Sequence, residues 1–249
     1  MTIDAPSQIQ PLRRLWKQAF GDPDAFLDHF FSTGFSPDRC RCLTQNGQLV
    51  AALYWFDCSL DGAPFAYLYA VATDTAYRNQ GLCRTLMDHT HRHLKELGYQ
   101  GVLLVPGSQT LFHMYEKMGY QVCGYIREFT CQAAAPISLH PIGMDKYAAL
   151  RQRYLPVGGV TQTGPLLAFL HTQVSFYEGE NFVLCAAKEG STLTVPELLG
   201  NESAASGIVG ALGAATGRFR VPGNDRPFAM YRALCPDAPV PSYFALALD

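Results

Sequence analysis

The chain has 249 residues, 48% of them hydrophobic and 16% charged, which excludes a disordered protein and allows one large or two small domains with a full core. Its formal charge of −2 is spread evenly, 11 basic against 12 acidic residues up to 130 and 8 against 9 beyond, so no basic lobe exists for nucleic acid or an anionic membrane. No run approaches the ~18 apolar residues of a membrane span, and the start, with Asp4, Arg13, Arg14 and Lys17, has no apolar signal core, so a cytoplasmic protein is expected.

In chain order, Leu12, Leu15, Trp16 and Ala19 recur at helical spacing over residues 9–20. Gly21-Asp22-Pro23-Asp24 breaks that helix and caps a second one, with Phe26, Leu27, Phe30 and Phe31 on its buried face. A strand from Arg39 to Thr44, a turn at Asn46-Gly47 and a strand from Leu49 to Phe56 predict a hairpin, and Asp61-Gly62 turns into the next strand. The stretch Tyr67 to Leu97 is the centre of the chain. An apolar, β-branched and aromatic run to Thr73 is followed by a short polar loop, Asp74 to Tyr77, and then by Arg78-Asn79-Gln80-Gly81-Leu82-Cys83. A helix begins there, with Leu82, Leu86, Leu94 and Leu97 on one stripe, and Gly98 ends it. Strand, glycine-containing turn and long helix form a phosphate-binding arrangement: unpaired N–H groups gather at the helix start, the dipole favours an anion, and Gly81 lets a ligand approach the backbone. Gly101 to Val105 predicts a parallel partner strand, and Pro106-Gly107-Ser108 opens a helix from Gln109 to Met118, ended by Gly119.

Arg78-x-x-Gly81-x-Cys83 resembles the Arg/Gln-x-x-Gly-x-Gly/Ala acetyl-CoA motif of the GNAT family of N-acetyltransferases, with Cys83 standing where the family prefers Gly or Ala. Val71-Ala72-Thr73-x-x-x-Tyr77-Arg78 is similar to the tandem-domain branch that includes the "enhanced intracellular survival" acetyltransferases, as is the opening text LWKQAFGDPDAFLDHFF. LFHMYEKMGY resembles the family's second motif, in which a tyrosine, here Tyr115, precedes Glu-Lys-x-Gly-aromatic. The resemblance covers residues 1–130 and implies an α/β (α+β) fold with a central mixed, mainly antiparallel sheet flanked by helices. It implies a catalytic domain over 1–132 in which the backbone of Val71, Ala72 and Thr73 holds the pantetheine arm of acetyl-CoA. Arg78 and the amides of Asn79, Gln80, Gly81, Leu82, Cys83 and Arg84 would hold its pyrophosphate. Ser108 would lie near the pantetheine, and Tyr115 would supply the proton for the departing thiolate. The first two helices would overhang the acceptor.

Ala133-Ala134-Ala135-Pro136 reads as a linker. Beyond it the pattern predicts helices around Met144 to Tyr154 and Leu166 to Tyr177, then a hairpin of Phe182 to Ala187 with Thr192 to Val195. A small-residue helix from Ser203 to Thr216 and strands at Phe228 to Leu234 and Tyr243 to Leu248 complete the pattern. This order is similar to the latter part of a second, degenerate GNAT-like domain over 137–249. No Arg-x-x-Gly turn recurs, so no second CoA is expected, and Gly207, Gly210 and Gly213 read as close helix packing. A chain cut near Ala135 is expected to keep CoA binding and lose acceptor turnover.

The eight cysteines contain no CxxC pair and read as reduced core thiols. His89, His91 and His93 read as a solvated helix face, without a metal site. Asp57, Glu128 and the terminal carboxylate of Asp249 are open choices for a general base. The expected activity is transfer of acetyl from acetyl-CoA, without a metal, to a primary amine of a small molecule or peptide. A non-catalytic acyl-CoA sensor, or a protein-modifying acetyltransferase whose second domain docks the target, are the rival readings. Neither the acceptor nor the oligomeric state is written in a readable pattern.

Overall fold

In the computed structural model, which describes residues 1–247, a short strand β1 (Thr2–Asp4) precedes two helices, α1 (Ile9–Phe20) and α2 (Asp24–His29). Leu12, Leu15 and Trp16 form the buried stripe of α1, and Gly21, at φ 77°, returns its N–H to the Lys17 carbonyl and ends the helix. The end of α2 loosens into a π turn over Phe30–Gly34, which periodicity does not reveal. β2 (Cys40–Gln45) and β3 (Gln48–Leu60) form the expected hairpin, and β3 turns into β4 (Ala63–Thr73). Both turns hold two residues at positive φ, Asn46-Gly47 at 52° and 78° and Asp61-Gly62 at 50° and 83°, the geometry that matches strand twist. Helix α3 (Leu82–Glu96) carries the chain to β5 (Gly101–Leu104), parallel to β4, and α4 (Gln109–Glu116) leads to β6 (Gln121–Gln132).

The second half contributes β7 (His140–Ile142), α5 (Met144–Tyr154), β8 (Thr161–Gln162), α6 (Pro165–His171) and β9 (Ser175–Gly179). It ends with β10 (Phe182–Glu189), β11 (Thr192–Gly200), α7 (Ala205–Ala211), β12 (Thr216–Pro222) and β13 (Arg226–Ala233). Three expectations need correction. The helix expected over Leu166 to Tyr177 stops at His171, because Ser175–Gly179 pairs along β10 instead. The helix expected over Ser203 to Thr216 is only α7; Thr216 starts β12, whose Gly217, Phe219 and Val221 are buried in alternation between two neighbouring strands. The strand expected over Tyr243 to Leu248 is, in its described part, a buried segment without a ladder, with one isolated bridge from Tyr243 to Gly159, which itself lies outside the strands of the sheet. A short apolar run looks the same from sequence in either state. Leu248 lies outside the described residues.

The sheet order is β1-β2-β3-β4-β5-β13-β6-β12-β11-β10-β9-β7, with β8 paired to β3. β13 therefore separates β5 from β6, and both neighbours of β6 come from the second half of the sequence. Residues up to Ala135 alone would leave β5 with one open edge and β6 with two, which counts against the expectation that they can stand without the rest. A local repeat is also present. β10–β11–α7–β12 retraces β3–β4–α3–β5, with the second pair of strands again parallel. Asp74 caps the turn after β4 by accepting from the Ala76 N–H at 2.9 Å, and Asn201 does the same after β11 for Ser203 at 3.2 Å. Seven residues separate Asp74 from α3, whereas three separate Asn201 from α7. The second copy lacks a counterpart of the stretch Arg78–Gly81. Its small-residue helix packs on the linker: a Cβ on Gly210 would stand 2.2 Å from the Ala134 carbonyl oxygen.

Two layers cover the first half of the sheet. α3 and α4 bury Leu82, Leu86, Met87, Leu94, Phe112 and Tyr115 against Leu68 and Val102 on one face. On the other face α1, α2, α5, α6 and the segment 243–247 close over Tyr54, Tyr67 and Tyr69.

Candidate active site

β4 and β5 pair only from Phe65–Tyr67 to Gly101–Leu103. Beyond Tyr67 they part. β4 continues to Thr73 with β3 on its far edge, and β5 ends at Leu104. The result is a wedge with an open strand edge along Leu68 to Thr73, where an extended ligand can add its own hydrogen bonds. A bulge sits beside it: the β3–β4 register shifts between Ala52–Ala72 and Tyr54–Tyr69, and Ala70 has φ 48°. A non-glycine residue held there costs on the order of 1 kcal/mol, a strain found at functional strand edges. After the bulge Val71 turns to the α3–α4 face and Ala72 to the opposite one.

At the mouth of the wedge Thr73 leads into the turn. Arg78, Asn79, Gln80 and Gly81 are exposed, and the Arg78 guanidinium folds back so that Nε donates to the Thr73 carbonyl at 3.2 Å. Gly81 stands at φ 77° and has no atom within 4 Å of a built Cβ, so the backbone is both left-handed and open to a ligand. The first helical bond of α3 runs from the Thr85 N–H to the Gly81 carbonyl, leaving the N–H groups of Leu82, Cys83 and Arg84 without helical acceptors. With the helix dipole these groups suit a diphosphate. The Arg84 side chain is engaged elsewhere, its two terminal nitrogens 3.3 Å from the Lys117 carbonyl oxygen, which ties the start of α3 to the end of α4. Ser108 caps α4, its hydroxyl accepting from the Leu111 N–H at 3.4 Å.

Tyr115 lies at the end of α4, buried beside Tyr120 with ring centroids 5.6 Å apart. Burial pushes its hydroxyl well above the usual phenol range, and the neighbouring Cys83 thiol adds to the shift. It stays protonated at any working pH and can act as a donor. Burial likewise raises the Cys83 thiol to about 11, against a smaller pull from Arg84, so Cys83 is a small neutral packing group.

Neither described base candidate is free. Asp57 takes the Arg39 Nε at 2.8 Å together with the Tyr99 hydroxyl, and it pairs across from Ala66, well before the wedge opens. Glu128 lies between Arg226 and Arg220; burial opposes ionisation, yet the two guanidinium groups hold its carboxyl below the usual range. Asp249 lies outside the described residues. Two cavities elsewhere, of about 220 Å³ between α1 and Asp74 and about 420 Å³ between α6 and β10, miss the wedge, which is an open groove.

The reading of three solvated histidines is corrected for His91. It is buried, its Nε2 sharing a 2.7 Å hydrogen bond with the Tyr120 hydroxyl, and it lies on the same helix stripe as Met87 and Leu94. That spacing was available in the sequence. No group of three His, Cys, Asp or Glu side chains among the described residues could hold a metal. Burial, helped by Arg232, pushes the His91 imidazole down to about 3. Above pH 6.5 both folded and unfolded chains hold it neutral. Below that the unfolded chain gains a proton that the folded chain refuses, so stability should fall by about 1.4 kcal/mol per pH unit toward pH 3. Urea midpoints of the wild type and His91→Gln should therefore converge as pH drops from 7 to 5; parallel profiles would contradict the assignment.

The sequence model of the acetyltransferase (GNAT) domain matches residues 5–123. That part of the chain is a GNAT acetyltransferase domain. Over 64 residues the chain is 34% identical to a mycothiol acetyltransferase of Propionibacterium freudenreichii, a stretch that covers 25% of this chain and 20% of that relative. Solved structures share the fold over nearly the whole chain. A GCN5-related N-acetyltransferase from Kribbella flavida superposes with a TM-score of 0.72 at 18% identity, over 93% of this chain and 70% of that one. Eis1 from Mycobacterium abscessus gives 0.69 at 14% identity, over 94% and 74%. A putative acetyltransferase from Pyrococcus horikoshii gives 0.65 at 15%, over 99% and 95%. Among the described residues no helix is long and apolar enough to cross a membrane.

Proposed function

We propose that this chain is an acetyl-CoA-dependent N-acetyltransferase acting on a primary amine of a small molecule or peptide. One observation carries the reading: the open edge of β4 from Leu68 to Thr73 runs into the Arg78–Gly81 turn and the free N–H groups of α3, with Tyr115 on the same side of the sheet. Acetyl-CoA, when bound, supplies an activated thioester carbonyl. Val71, Ala72 and Thr73 hold the extended arm by backbone hydrogen bonds. Arg78 and the amides of Asn79 to Arg84 take the diphosphate, with Ser108 at the head of α4 near the arm. Cys83, at the small-residue position of the motif, fits because its thiol is neutral and turned toward the α3–α4 core.

Donors at the β4 edge stabilise the charge that develops on the carbonyl oxygen, and the Tyr115 hydroxyl hydrogen-bonds the departing sulfur. A phenol raised by burial is a poor acid toward a thiolate in water. Its contribution is a hydrogen bond to the developing thiolate, made from the buried surroundings that keep the phenol protonated. With Asp57 and Glu128 held by arginines, the acceptor amine gives its proton to water or arrives neutral.

The reading includes a second, degenerate GNAT-like unit over residues 137–249 beside the unit over 1–132. It is supported by the retraced strand order and by the missing counterpart of Arg78–Gly81. That unit holds no cosubstrate and walls the acceptor side. A reducing cytoplasm belongs to the same reading, since five of the eight thiols pack as core groups. The test is CoA release from acetyl-CoA across a panel of an aminoglycoside, a polyamine, an amino acid and a peptide amine. Turnover of one class supports the reading; tight binding with no turnover of any amine would favour an acyl-CoA sensor.

A further inference from the structure

The second half buries a polar chain of contacts that acetyl transfer does not itself require. Arg151 on α5 and Glu197 on β11 form an ion pair with 2% and 1% of their side chains exposed, the Arg151 Nε 2.6 Å from Glu197 Oε2. A buried pair of this kind is usually no more stable than well-packed apolar side chains, so its use lies in fixing one arrangement. The remaining contacts show what is fixed. Arg151 donates through one terminal nitrogen to the Gln162 side-chain oxygen at 3.0 Å, which sets the amide so that Gln162 Nε2 donates to the Leu246 carbonyl at 2.6 Å. The Tyr243 hydroxyl donates to Glu197 Oε1 at 3.0 Å, and the Val160 N–H donates to the Tyr243 carbonyl at 3.0 Å. Residues 243–247 form no ladder of their own, so these bonds hold the segment in place. Phe244, between the two anchors, packs against Tyr67 with centroids 4.8 Å apart, where β4 and β5 begin to part. Gln162 is itself anchored, since β8 pairs with Cys58–Ser59 of β3.

The two faces of the sheet differ at the wedge: the α3–α4 side carries the turn and Tyr115, and the opposite side is packed by Tyr67 and the segment 243–247, so an amine approaching a thioester from that side would meet this segment. We propose that Gln162, held by the Arg151–Glu197 pair, is a positioning residue that fixes the segment 243–247 as the acceptor-side wall. It thereby sets how an amine meets the acetyl group. This rests on the acetyltransferase reading above.

Two variants test it. Gln162→Met keeps the volume and removes both bonds; Gln162→Glu keeps the acceptor for Arg151 and removes only the donor to Leu246. Amide hydrogen exchange read on peptides covering 240–247 should quicken at least tenfold in both, while peptides of α3 keep their protection and acetyl-CoA affinity stays within about twofold, less than 0.5 kcal/mol. With the best amine of the panel, KM for the amine should rise at least tenfold. Slow hydrolysis of acetyl-CoA by water, which needs no amine, should stay unchanged. Unchanged exchange over 240–247 in the folded variants overturns the positioning role, whatever the activity. Quickened exchange with an unchanged amine KM overturns the link to the acceptor. Absence of turnover in the wild type defeats the acetyltransferase reading instead, and is told apart because the exchange result stands without it.

Discussion

Tyr115→Phe is expected to lower turnover roughly 10²- to 10⁴-fold, the usual range for a positioned proton donor, with acetyl-CoA affinity nearly unchanged. The substitution keeps the ring, its edge contact with Tyr120 and its place in the α3–α4 core, and deletes only the hydroxyl. Because burial holds that hydroxyl protonated far above neutrality, its loss should be felt equally at all pH values from 6 to 9. The loss should fall on kcat. A thiolate leaving group with an ordinary pKa of about 8.5 departs slowly without a hydrogen bond and more readily with one. Comparison of kcat for two acyl donors with different thiol pKa values checks the role: the variant should depend more steeply on leaving-group pKa than the wild type. Equal dependence, or untouched turnover, would hand thiolate protonation to water.

Removing residues 136–249 is expected to abolish folding, and with it CoA binding. In the sheet β6 lies between β13 and β12, and β5 loses β13 on one edge. β13 also buries Phe228, Ala229, Met230 and Tyr231, each of them 5% exposed or less. At about 1.5–3 kcal/mol for each of the three large side chains, that loss alone is roughly 5–9 kcal/mol, against a total stability of about 5–15 kcal/mol for a typical protein. The exposed edges of β5 and β6 would then favour aggregation. Residues 1–135 produced alone should show no cooperative melt and no heat with acetyl-CoA. A folded fragment that binds would mean that β6 finds another place in the sheet.

How far the sequence could be read depended on how local each feature is. The hairpin turns, the α3 start and the α4 cap lie within a few residues of the groups they organise, so Asn46-Gly47, Gly81 and Ser108 announce them. The placement of β13 between β5 and β6 depends on pairing more than a hundred residues away, and nothing in Phe228 to Leu234 names its neighbours. β12 was hidden because Thr216 follows a run of small residues that reads as helix, although Gly217, Phe219 and Val221 alternate with arginines at strand period. The Ala70 bulge has no sequence mark, since alanine is not the residue expected in left-handed backbone. Arg151 falls inside the Met144 to Tyr154 helical pattern with no mark of burial; only the fold brings Glu197 and Gln162 to it. The proposed site residues from Val71 to Arg84 fall on one continuous strand–turn–helix, with Ser108 and Tyr115 beside it on α4, so two short stretches of text are enough to name them.

The most direct test of the central claim is a calorimetric titration of acetyl-CoA into the wild type and Gly81→Glu. The wild type should take up one molecule per chain with micromolar affinity. The introduced carboxylate would push a side chain and a like charge into the space that Gly81 leaves open, and affinity should fall at least tenfold, about 1.4 kcal/mol, in a chain that still folds. Gly81→Asn, which tolerates left-handed backbone and adds no charge, separates strain from repulsion and should bind better than the glutamate variant. A stoichiometry of two, or unchanged affinity in folded Gly81→Glu, would contradict a single CoA site at the Arg78–Gly81 turn.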